Sequence, residues 1–184
     1  MTRRQQLLDF AILGLLHDAP MHGYELRKHL NLTMGVFRAL SYGTLYPALR
    51  GLVAGGSITE STDAGAVTAA SRRPRIVYEL TDRGAARFDE LAKQTDPTVY
   101  EDELFELRMA FFGRTDAAVR LRILEGRRSR LEQRLADLRS GTTTGRQDSW
   151  TTALQQHGEE ATEREVRWLS ELIEAEHHPR TRPA

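Results

Sequence analysis

Hydrophobic side chains recur with a helical period from the start of the chain. Leu7, Phe10, Ala11, Leu13, Gly14, Leu15 and Leu16 predict a first helix over residues 5–17. Pro20 and Gly23 punctuate the turn after it. Tyr24, Leu26 and Leu30 predict a short second helix over 22–31. A connection containing Gly35 and Phe37 follows, and Ser41 stands where an N-cap is expected. Thr44, Leu45, Ala48, Leu49, Leu52 and Val53 supply the stripe of a third helix, which stops at Gly55-Gly56. Pro47 lies early in it, where a missing N–H costs little.

The period then changes. Residues 57–61 and 76–80 are short, rich in β-branched and aromatic side chains, and alternate in polarity. They predict a β-hairpin. Its tip, residues 62–75, is long, rich in Ala, Gly, Ser and Thr, and ends in Arg72-Arg73-Pro74-Arg75. Thr81 or Asp82 caps a fourth helix running to residue 94, with Ala85, Phe88, Leu91 and Ala92 inward. Asp96-Pro97 marks a boundary.

The second half reads as helix throughout, over 102–112, 117–140 and 149–176. In the middle one Ala117, Leu121, Leu124, Arg128, Leu131, Leu135 and Leu138 alternate in steps of four and three. That is a coiled-coil-like heptad seam with one cation in it. The last helix places Trp150, Leu154, His157, Ala161, Trp168 and Leu172 on one side and charge on the other. The resulting fold class is mainly α with a small β-hairpin. A winged helix-turn-helix is expected over 1–95, a helical dimerisation and effector domain over 96–178, and a disordered basic tail over 179–184.

Composition changes this picture little. The 184 residues balance 26 basic against 26 acidic side chains, but residues 1–95 carry net +3 and residues 96–184 net −3. Only Lys28 and Lys93 are lysines, so cationic recognition falls to arginine. Without cysteine there is no disulfide framework, thiolate nucleophile or zinc finger. No apolar run suits a membrane span, and the start of the chain lacks the cleavage site of a signal peptide, so a cytoplasmic location is expected.

The chemistry of the first half suits nucleic acid. A helix opening Ser41-Tyr42-Gly43-Thr44, with Tyr46 and Arg50 beyond, can enter a major groove N-terminus first. Arg72, Arg73 and Arg75 on a wing beside it can grip the flanking backbone. Tyr24 offers a further phosphate contact, its other reading being half-buried packing. The histidines form no HExxH, and no GxSxG or Gly-rich loop followed by Lys occurs. No catalytic residue, metal or cofactor is expected, and an enzyme is not the reading. The rival reading is a helical oligomerisation or scaffold protein that binds no DNA, which would have no need of an arginine wing.

Leu13-Gly14-Leu15-Leu16, Met21-His22-Gly23-Tyr24-Glu25-Leu26, Gly43-Thr44-Leu45-Tyr46-Pro47-Ala48-Leu49, Gly56-Ser57-Ile58 and Tyr78-Glu79-Leu80-Thr81-Asp82-Arg83-Gly84 occur in that order. Over residues 7–92 the chain resembles the PadR family of transcriptional regulators. Its helical remainder resembles the longer PadR subfamily, whose C-terminal helices make the dimer. The resemblance implies a homodimeric repressor on a palindromic operator in double-stranded DNA, released by a small molecule. The wing departs from the family in its long Ala/Gly-rich tip, so the register of its contacts does not carry over.

The dimer is expected to use Leu121, Leu124, Leu131, Leu135, Leu154, Trp168 and Leu172, with Arg128 paired to Glu165 or another glutamate. A small hydrophobic or aromatic effector is expected near Trp150, Trp168, Phe111 and Tyr100, each of which also reads as a packing anchor.

Overall fold

The computed structural model describes residues 3–33, 41–62, 76–140 and 148–178. The expected wing tip with Arg72, Arg73 and Arg75, the loop at 141–145 and the tail at 179–184 lie outside them. Among the described residues, seven helices and three strands follow in the order α1 (Arg3–Leu16), β1 (Met21–His22), α2 (Gly23–Thr33), α3 (Tyr42–Ala54), β2 (Ile58–Thr62), β3 (Ile76–Leu80), α4 (Asp82–Ala92), α5 (Asp102–Met109), α6 (Ala117–Ser140) and α7 (Ser149–His177). Single 3₁₀ turns occupy Pro97–Tyr100 and Phe112–Arg114. The expected helices and hairpin strands are all present, most ends shifted by no more than two residues, while the helix expected over 102–112 already ends at Met109.

The chain divides into two compact units, one of Met1–Gln94 with Asp102–Thr115, the other of Thr95–Glu101 with Asp116–Ala184. A single boundary after residue 95 therefore does not describe it, because α5 packs with the first unit. The reason is aromatic. Phe111, which follows α5, meets Phe10 and Phe88 edge-on at 5.2 and 5.7 Å, while Phe10 and Phe88 stack at 5.0 Å. Gly14 makes room for it: a Cβ there would stand 2.3 Å from the Phe111 ring. Arg108 adds its guanidinium over Phe10 and donates to the Leu91 carbonyl.

The first unit is built around α1, which is buried from Leu8 to Leu16. Asp9 is buried with them and accepts from Gln5 Nε2 at 3.0 Å and Arg87 Nη2 at 2.9 Å, tying α1 to α4. Helix α3 buries Leu45, Ala48, Leu49 and Leu52. Each leucine contributes about 1.5–3 kcal/mol on leaving water. The helix ends where Gly56 takes a positive φ of 67° and the Ser57 amide bonds back to the Leu52 carbonyl. That turn feeds β2. The sheet is antiparallel in the order β1-β3-β2, with Ile58 opposite Leu80 and Met21 opposite Tyr78. Strand β1 is an addition to the expected hairpin, too short at two residues to show a period. Thr81 caps α4 by accepting from the Gly84 amide at 3.0 Å, while its hydroxyl donates toward the carbonyls of Gly56 and Ser57.

In the second unit α6 and α7 pack along one another, joined by ion pairs from Arg120 to Glu176, Arg127 to Glu165 and Arg139 to Glu163. The buried positions of α6 are Ile123, Leu124, Arg127 and Leu131. The cation inside the seam is thus Arg127, not Arg128, whose side chain is 34% exposed with Nε 3.7 Å from Glu132. A straight helix with 3.6 residues per turn presents the ridge 123–127–131 to its neighbour, which rotates the stripe away from the strict heptad. Leu124 and Leu131 are covered within the chain, where a second copy had been expected to cover them. Asp148 caps α7 by accepting from the amides of Trp150 and Thr151. Among the described residues no helix is long and apolar enough to cross a membrane, and no cluster of His, Asp or Glu could hold a metal ion.

Candidate nucleic-acid interface

The face of α3 opposite its buried leucines carries Tyr42, Tyr46 and Arg50, one turn apart and all exposed. Ser41, Gly43 and Thr44 are exposed beside them at the helix start. Ser41 occupies the N-cap position with extended backbone, yet its hydroxyl does not cap the helix. It pairs with the Thr44 hydroxyl at 3.1 Å, so both oxygens face outward at the positive end of the helix. An anion or a base edge arriving there meets hydroxyls and free amides together.

Two aromatic pairs flank this helix start. Tyr42 and Tyr46 stack at 5.7 Å. At the start of α2, Tyr24 is 51% exposed and stacks with His22 at 5.9 Å. The Tyr24 hydroxyl donates to Glu25 at 3.2 Å, and Glu25 in turn accepts from the His22 amide at 2.8 Å, half of a capping box. That amide, ahead of the Tyr24 hydroxyl, holds the Glu25 carboxyl below its ordinary pKa against the opposing effect of desolvation. Tyr24 is therefore oriented and solvent-facing.

The stem of the hairpin lies in the same electrostatic neighbourhood. Tyr78 is buried in β3, and burial first, then the Glu60 carboxylate and the Tyr46 phenol, push its pKa up, while Arg50 opposes them. His22 Nδ1 meets the Ile76 carbonyl at 3.1 Å, fixing the edge from which the wing departs. Six of the seven candidate residues at 24–50 lie on α3 or at its cap. The seventh, Tyr24, stands at the head of α2. The three wing arginines lie outside the described residues.

The residues put forward for an effector are divided between the two units. Phe111 is a core residue of the first unit, 5% exposed. Tyr100 belongs to the second unit, where its hydroxyl donates to the Thr95 carbonyl and its ring lies against Gly126. Trp150 and Trp168 are 84% and 41% exposed on α7, eighteen residues and so about 27 Å apart along the helix. No single small molecule spans them on one chain. Leu154 is 72% exposed beside Trp150, and Leu121, Leu135 and Leu172 are half-buried.

Helices α1 to α3, the last offering one face of its first two turns to solvent, and a hairpin with a third strand on its edge define a winged helix-turn-helix domain. Residues 12–90 match the family described as the transcriptional regulator PadR-like family, and the chain carries a domain of that family there. The negative transcriptional regulator PadR of Bacillus subtilis (strain 168) is 29% identical over 108 residues, which are 58% of this chain and 57% of that relative. The match thus spans little more than half of the relative's length. Among solved structures, Bacillus subtilis PadR in complex with operator DNA is 22% identical, with 92% of this chain and 98% of that one covered and a TM-score of 0.44. Bacillus subtilis PadR in complex with p-coumaric acid is 23% identical over the same shares, at 0.41. The protein smu.1604c of Streptococcus mutans UA159 is 21% identical over 90% and 97%, at 0.42.

Proposed function

We propose that the chain is a sequence-specific DNA-binding transcriptional regulator of the cytoplasm, a repressor acting as a homodimer on an inverted-repeat operator. The observation that carries the reading is the division of α3. Leu45, Ala48, Leu49 and Leu52 anchor it in the core, while Ser41, Tyr42, Gly43, Thr44, Tyr46 and Arg50 stay in solvent at its entering end. A helix held this way enters a major groove with its hydroxyls and one guanidinium toward base edges. Tyr24 and the wing arginines Arg72, Arg73 and Arg75 supply phosphate contacts. Repression follows the negative regulator to which the chain is similar over 108 residues.

The dimer draws on a second apolar face. Trp150, Leu154, Trp168 and Leu172 recur at spacings that put them on one side of α7, away from Leu169 and Ile173, which pack within the chain. A second copy of the chain, in the manner of the longer PadR subfamily, covers them, with Leu121 and Leu135 at the margin. A small apolar or aromatic effector bound among the tryptophans of such a dimer would alter the separation of its two recognition helices and release the operator. Leu154→Asp tests the interface by light scattering: a monomer that no longer holds a palindrome is expected, and a dimer of unchanged operator affinity refutes the interface.

The DNA reading is tested by titrating the full chain against the DNA upstream of its own coding sequence over a range of salt. Specific, salt-dependent binding is expected, and replacing Arg72, Arg73 and Arg75 together should flatten the salt slope by up to about three units. Binding that is absent, or independent of salt and sequence, overturns the reading.

A further inference from the structure

The two exposed tyrosines of α3 are held in place by two residues of α2. Gly23 and Arg27 lie one turn apart on α2, and Tyr42 and Tyr46 one turn apart on α3. The Arg27 guanidinium carbon sits 4.1 Å over the centre of the Tyr42 ring. At the other rung the Tyr46 hydroxyl closes on Gly23, where a Cβ would stand only 3.3 Å from it. Between the rungs the two rings stack at 5.7 Å with their planes 23° apart. Arg27, Tyr42 and Tyr46 therefore form a continuous ladder, while the tyrosines remain 45% and 37% exposed.

We infer that Arg27 is a positioning residue for DNA reading, acting through the Tyr42 ring and not through a phosphate of its own. The inference rests on the DNA-binding reading above and adds to it a residue from outside the recognition helix. The physical argument is one of preorganisation. An exposed tyrosine side chain has rotamer freedom that binding must remove, at about 0.5–1.5 kcal/mol for an immobilised side chain. A guanidinium over the ring face restrains it beforehand, by cation–π attraction and by contact of two planar groups. Gly23 completes the arrangement by letting Tyr46 lie low over α2, so that the pair stacks instead of splaying.

The test is a double-mutant cycle. Arg27→Ala, Tyr42→Ala and their combination, in the full chain, are titrated at several salt concentrations against a duplex that the wild type selects from a randomised pool. Thermal unfolding of each variant checks the fold. Arg27→Ala is expected to weaken binding by about two- to fivefold. It should leave the salt slope unchanged and have no further effect once Tyr42 is alanine. In a Tyr42→Phe background, which keeps the ring, the Arg27→Ala effect should return. Should Arg27→Ala melt at the titration temperature, Arg27→Lys runs the same cycle, with a smaller loss that still depends on the Tyr42 ring. An Arg27 substitution that removes about one unit from the salt slope, and costs the same with or without Tyr42, makes Arg27 a direct phosphate contact and overturns the inference. So does one without effect on affinity. A wild type that selects no duplex at all instead overturns the DNA-binding reading.

Discussion

Arg127 and Glu165 face each other across the α6–α7 pair, with Nε and Nη2 of the arginine donating to the same carboxylate oxygen at 2.9 and 2.7 Å. The remaining Nη1 donates to the Tyr100 carbonyl at 2.7 Å, so one side chain ties both long helices to the turn at Pro97–Tyr100. Arg127 is 6% exposed at its side chain and Glu165 32%. Glu165→Ala leaves a guanidinium with little water and a lost partner. Its cost should approach the roughly 3–5 kcal/mol of a broken buried pair, reduced by the carboxylate's access to solvent. Arg128→Ala, one residue along, should cost under about 1 kcal/mol, since the Glu132 contact is at the surface. Denaturant unfolding of the two variants checks the contrast; equal losses would contradict the assignment of Arg127 as the buried cation.

Asp9 gives the first unit a pH dependence of definite sign. Burial raises its pKa, outweighing the Gln5 hydrogen bond and the Arg87 charge that lower it. The folded chain therefore favours the protonated carboxyl more than the unfolded chain does. This contribution to stability is fully present below the ordinary carboxylate value of about 3.9 and is lost as pH rises through the raised one. Asp9→Asn should melt at a temperature that falls less than the wild type's over that interval. Parallel melting profiles would mean that Asp9 does not titrate there.

The glycines separate by what a methyl group would meet. At Gly84 a Cβ would stand 2.0 Å from the Ser57 carbonyl oxygen, at the junction of β2 and α4, so Gly84→Ala must shift backbone. A loss of about 1–3 kcal/mol or more is expected, as for an overpacked core. At Gly51, inside α3, nothing lies within 4 Å. Gly51→Ala should stabilise the domain by about 0.5–1 kcal/mol. Calorimetry of both reads the difference, and a destabilised Gly51→Ala would show that the exposed side of α3 is closed.

Much of this arrangement was legible in the sequence, for physical reasons. The third helix was readable because its leucines keep helical spacing and Gly55-Gly56 ends them, and the hairpin because Ile76 to Leu80 alternate. Strand β1 was not, since two residues carry no period. The placement of Phe111 was not either, because an aromatic after a short helix reads equally as core or as ligand wall until Gly14 is seen to lie beneath it. Arg127 and Arg128 are neighbours, and only the direction of the packing ridge decides which is buried. The ladder from Arg27 to Tyr46 joins two helices across a connection, and spacing alone says nothing of such a contact.

The central claim, a paired reading of duplex DNA by α3, is tested most directly by a hydroxyl-radical footprint of the full chain on a duplex it selects. Two protected half-sites related by a two-fold axis are expected, their centres about 34 Å or one helical turn apart, with protection lost in a Tyr46→Ala, Arg50→Ala variant that still folds. A footprint that is absent, or a single asymmetric one that survives those substitutions, would contradict the account.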